Sequence, residues 1–201
     1  MTHTRRWVAA AATAAVTAAA LAGCSEKSSP DVGDDVLTNT SSYGFATTKD
    51  VGTVFTTALT VSEVAKGPII IEDVEPVLEG GVVSVDGTGV RTLFPAQNGK
   101  GFEEMAEWPP KGKSKADWDL FGGLQGDGNY EIPAPAAGKP SVLHVLIGYK
   151  VEKQGRGVQR GVWVTYNLAG KQHKAFLGSY VAICAPAGAA CAKEGPKGEE
   201  K

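Results

Sequence analysis

The chain has 201 residues, 20 Lys and Arg against 22 Asp and Glu, a formal charge of −2 and three cysteines. There is no basic stripe to neutralise a phosphate backbone, so nucleic acid is excluded as the expected partner. The length suffices for one domain with its own hydrophobic core.

The first 23 residues read as an export leader. Arg5 and Arg6 form a positive head, and Val8 to Ala22 is a weakly apolar run of about fifteen residues, shorter than the roughly twenty a spanning helix needs. The run ends in Leu21-Ala22-Gly23-Cys24. These four residues resemble the lipobox of bacterial lipoproteins, which implies a diacylglyceryl group on the Cys24 thiol and cleavage just before it. The alternative is a secreted protein cut nearby, with Cys24 a free thiol. One acyl chain holds a protein to a bilayer only marginally, whereas two or three hold it for long times. The pair Arg5-Arg6 resembles a twin-arginine export signal, but Trp7-Val8-Ala9 departs from that pattern, so the export route stays open. Removing the leader brings the formal charge to about −4, and the expected membrane contact is lipid rather than charge.

Residues 24–50 are rich in Ser, Thr, Asp and Gly with few apolar positions, and are expected to be a flexible tether spanning on the order of 30 Å. Asp31, Asp34 and Asp35 fit a solvated linker better than a cation site. From Val51 the composition turns β-favouring. Val54 to Val61 and Pro68 to Val77 predict strands, and the segments 81–85 and 90–94, separated by Asp86-Gly87, predict two more.

The 95–140 stretch is the least regular. Phe102, Met105 and Ala106 have the spacing of a helical turn stopped by Pro109, and Ser114 to Asp117 has that of a capping box ahead of Trp118, so two short helices are expected within an insertion. It reads either as a cover fastened by its aromatics or as a lid over a small-ligand pocket. Asp127, Asn129 and Glu131 alternate like calcium ligands but lack a further bidentate carboxylate, so a glycine turn leading into a short strand is the expectation.

Val142 to Cys184 carries the clearest pattern. Leu143, Val145, Ile147, Tyr149 and Val151 alternate with His144, Gly148 and Lys150, and Val158, Val162, Val164, Tyr166 and Leu168 alternate with Gln159, Gly161 and Trp163. A hairpin through Gln154 to Gly157 would set Tyr149 opposite Val162 and Leu143 opposite Leu168. A second hairpin at Ala169-Gly170 sets Trp163 opposite Phe176 and Tyr166 opposite His173. On this reading Leu146, Trp163, Phe176 and His144 share one outer patch, which either another segment covers or a partner protein of the cell envelope contacts.

Cys184 and Cys191 are expected to pair with each other outside the cell, which would stabilise the fold by about 2.5 kcal/mol. Residues 185–201 are expected to be a disordered tail. The predicted fold is all-β, an immunoglobulin-like antiparallel β-sandwich of about seven or eight strands over residues 51–184, monomeric. It resembles the single β-sandwich ectodomains of actinobacterial lipoproteins, a resemblance that implies no site residues. No catalytic residue, metal ligand or cofactor is predicted: Gly-x-Ser-x-Gly, His-Glu-x-x-His and phosphate-loop motifs are absent, and of the histidines outside the leader His144 is expected on a solvated outer face and His173 at the rim of the core.

Overall fold

The computed structural model describes residues 31–32, 36–39, 44–63, 67–93, 102–110, 130–134 and 141–192. They form eleven strands and no helix: β1 (Asp31–Val32), β2 (Leu37–Asn39), β3 (Gly44–Thr48), β4 (Val54–Glu63), β5 (Ile69–Glu79), β6 (Val83–Leu93), β7 (Phe102–Ala106), β8 (Tyr130–Ile132), β9 (Ser141–Val151), β10 (Gly155–Leu168) and β11 (Lys171–Ala185).

One sheet runs β2-β4-β9-β6 and the other contains β5-β10-β11. With strands taken in chain order, these seven reproduce the ABED and CFG sheets of the immunoglobulin fold. The remaining four are additions at the edges. β7 lies beside β4, β8 beside β5, and β1 and β3 both run parallel to β11, so the sandwich is not purely antiparallel.

Period-two patterning explains which side chains meet inside. Val145, Ile147 and Tyr149 from β9, Phe55 and Leu59 from β4, and Val162, Val164 and Tyr166 from β10 are all buried in one core between the sheets. The rings of Phe55 and Tyr149 lie 5.3 Å apart there. This core is largely apolar, and it holds a polar seam in which Tyr149 Oη donates to Gln159 Oε1 and Gln159 Nε2 donates to Ser179 Oγ at 2.5 Å. Burial pushes the Tyr149 phenol well above its usual range, against a smaller opposing effect of its hydrogen bond with Thr57.

Several expectations are corrected. β9 and β10 are not a hairpin: β9 pairs with β4 and β6, β10 pairs with β5 and β11, and the chain crosses between sheets after Val151. The two apolar sets still face each other, but across the sandwich rather than along a ladder. Residues 83–93 form one strand, with Asp86-Gly87 at a bulge between Val85 and Gly87 rather than at a turn. Residues 102–106 form strand β7 rather than a helical turn, because β4 offers them a ladder. Part of the stretch read as tether is strand, and the stretch read as a free tail is described as far as Ala192, with Cys184 joined to Cys191 at a Cα–Cα distance of 5.7 Å. The leader, the lipobox, the capping box at Ser114 and the Asp127-to-Asn129 alternation lie outside the described residues.

The Ala169-Gly170 turn is as expected. Both residues have positive φ, 53° and 82°, which is the two-residue geometry that matches strand twist, and Gly170 N donates to Asn167 Oδ1 at 2.9 Å. Trp163 pairs with Phe176 and Tyr166 with His173, in the predicted register.

Candidate functional site

The outer face of the β5-β10-β11 sheet is built row by row. Glu75, Trp163 and Phe176 are neighbours across the three strands, and Asp73, Thr165 and Lys174 make the next row. Trp163 is half-buried and its ring centroid is 4.8 Å from that of Phe176, tilted by 53°. Phe176 is 47% exposed, which singles it out, since most large apolar side chains of this sheet are buried. Its ring lies over Gly161, where an added Cβ would come within 2.3 Å of Phe176 Cζ and 2.9 Å of Leu177 O. Gly161 follows an irregularity in β10 at Gln159, which also turns Gln159 inward and places Val158 in a separate small cluster with Tyr180 and Ala182.

Charge frames the aromatic pair. Lys174 Nζ sits 5.2 Å from the Trp163 ring and 3.4 Å from Glu75 Oε2, so one ammonium serves both a cation–π contact and an ion pair. Arg160 pairs with Glu79 at 3.0 Å and lies over the Tyr180 ring, and Gln172 Nε2 donates to Glu72 Oε2 at 2.6 Å. In each case a β5 carboxylate meets a donor from β10 or β11. These exposed pairs contribute at most about 1 kcal/mol each, and their effect is to hold a mixed polar rim around an exposed apolar centre.

His144 and Leu146 are not part of this face. Because β9 belongs to the other sheet, its outward side chains point away from those of β10, and the four-residue patch expected from the sequence is divided between opposite faces of the sandwich. Leu146 is fully buried and His144 is 3% exposed, not solvated. Arg91, opposite His144 in the ladder, donates from Nε and Nη2 to His144 Nδ1 at 3.1 and 2.8 Å, which leaves the proton of the neutral ring on Nε2. Burial first, and the Arg91 charge second, lower the His144 pKa to about 4. His173 is buried and stacked on Tyr166, with centroids 5.3 Å apart. The two histidines are therefore on different sheets and do not converge.

Sequence reasoning missed three features. Trp108 lies against Gly87 and Gly148, which are paired across β6 and β9; a Cβ at either would approach its ring to 2.2 or 2.5 Å. Thr56 Oγ1 fixes that segment by donating to Glu107 O at 2.6 Å. Lys49 Nζ pairs with Glu104 at 2.5 Å and lies 5.2 Å from the Phe55 ring. The glycine pair was visible in the sequence as a gap in two outward faces, but nothing there assigned Trp108 to it. The insertion's described strands, β7 and β8, are edge strands of different sheets.

Among the described residues no group of three or more His, Cys, Asp or Glu could hold a metal ion. No helix among them is long and apolar enough to cross a membrane. No protein-family model, curated protein or solved structure matches the chain.

Proposed function

We propose that the protein is a bacterial lipoprotein, anchored through Cys24 to the outer face of the cell membrane, whose immunoglobulin-like domain binds another envelope protein through the Trp163 and Phe176 face. The observation that carries the placement is Leu21-Ala22-Gly23-Cys24 closing an apolar leader. A disulfide in a chain whose other cysteine is the acyl acceptor supports the same compartment, since such bonds persist in oxidising surroundings. The binding role rests on an exposed phenylalanine beside a tryptophan within a charged rim, the composition of interaction hot spots.

Two measurements test the reading. In cells of the source bacterium the wild-type chain should partition into the detergent phase and Cys24→Ala should not; equal partition of both removes the anchor. Crosslinking on intact cells should give an adduct that Phe176→Ser and Trp163→Ala abolish while the fold is retained. An adduct equally abundant in both variants, or none with the wild type, rejects the binding face.

A further inference from the structure

We propose that the disulfide-closed segment Cys184–Cys191 is a strap that fastens β3 to the sandwich. Among the described residues β3 has a single ladder, five residues long, from Gly44 opposite Tyr180 to Thr48 opposite Cys184. Every residue of β3 is only half-buried, so apolar burial alone holds it weakly. Additional fastening comes from beyond the end of β11. Lys49 N donates to Cys184 O at 2.9 Å, extending the ladder by one bond. After Ala185 the chain turns back: Ala187 N donates to Asp50 Oδ1 at 3.1 Å, and Gly188 N donates to Thr48 Oγ1 at 3.2 Å. Ala189 N closes the turn on Pro186 O, and Gly188 has φ 81°. Cys191 then packs with Ala46 of β3 against Val158, Tyr180 and Ala182, on the outer side of the sheet.

The bond thus starts at Cys184, the ladder partner of Thr48, and ends at Cys191, which packs against the same Val158, Tyr180 and Ala182 cluster as Ala46. It encloses the two amides that grip Thr48 and Asp50. Without it, those amides are held by hydrogen bonds to exposed side chains, which contribute little each. β3 is one of three described segments that join the N-terminal part to the sandwich, beside β1 on β11 and β2 on β4, so the strap sets how firmly β3 itself is held. This holds whether or not Cys24 carries lipid.

Hydrogen exchange of the whole chain, read by mass spectrometry, tests the strap in three forms: oxidised, carrying Cys191→Ser, and reduced by an excess of a dithiol. In the last, two electrons and two protons convert the bond to two thiols while the dithiol becomes a disulfide. Amides 44–49 should exchange at least about tenfold faster in both forms lacking the bond, with β9 and β10 unchanged. Asp50→Ala, with the bond intact, should accelerate the same amides by a smaller factor. Equal exchange of 44–49 with and without the bond overturns the proposal, as does acceleration spread evenly over β9 and β10. An unchanged rate in Asp50→Ala overturns it too, because the bond would then act without the strap's contacts.

Discussion

His144 shows what burial does to one titratable side chain. Its folded pKa is about 4 and its ordinary value 6.5, so between those values the unfolded chain binds a proton that the folded chain excludes. The stabilisation from keeping this ring neutral is complete above pH 6.5 and is lost as pH falls toward 4, a loss of up to about 3 kcal/mol. Denaturant unfolding of the wild type between pH 7 and 4 should show this decline, and His144→Gln should flatten it; parallel slopes would refute the assignment. At Gly148 the constraint is steric. Gly148→Ala forces the Trp108 ring to move, since its nearest atoms would lie at 2.5 Å, and overpacking of this kind costs about 1–3 kcal/mol. The variant should melt lower and show altered tryptophan fluorescence, whereas an unchanged spectrum would place Trp108 elsewhere. Gln159 is held between Tyr149 and Ser179, so Gln159→Leu removes one hydrogen bond from each of two buried hydroxyls and should cost about 2 kcal/mol in chemical denaturation.

At the scale of elements, the sequence was readable where one face is apolar and the other is not. β9 and β11 keep one inward apolar set, whereas in β5 that set shifts phase from Ile69 and Ile71 to Val74 across an irregularity at Glu72; the β10–β11 register was fixed by the Ala169-Gly170 turn. Ala169 nonetheless adopts φ 53°, which suits Asn or Gly better. Ala169→Asn should therefore raise stability by about 0.5–1 kcal/mol in the same assay, and a loss would mean that the turn is of another kind. Pairing between strands was less legible. Alternation says that Tyr149 and Val162 point at a common core, but a hairpin partner and a residue on the opposite sheet satisfy that equally. The four-residue patch failed for this reason: His144 and Leu146 face outward from one sheet, Trp163 and Phe176 from the other. β7 was misread because Phe102, Met105 and Ala106 fit a helical spacing locally, while the available edge of β4 decided the outcome. The irregularity at Gln159 has no sequence signal beyond the neighbouring Gly161.

The whole molecule combines a compact sandwich with an N-terminal sequence that suits a lipid anchor. Added to the immunoglobulin topology, β1 and β3 cover one edge of the β5-β10-β11 sheet; on the other edge β8 pairs with Ile69 to Ile71, and past it β5 carries Glu72, Asp73, Glu75, Pro76 and Glu79, residues that discourage open-edge association. What such a domain can meet is then set by its faces, and the aromatic pair with its charged rim is the prominent exposed one among the described residues. The proposed binding role depends on the proposed anchor. Intact-mass and N-terminal analysis of the protein purified from its own membrane measures this most directly. The chain should begin at Cys24 and carry two or three acyl chains. A product retaining residues 1–23, or one beginning elsewhere with an unmodified cysteine, would contradict the account.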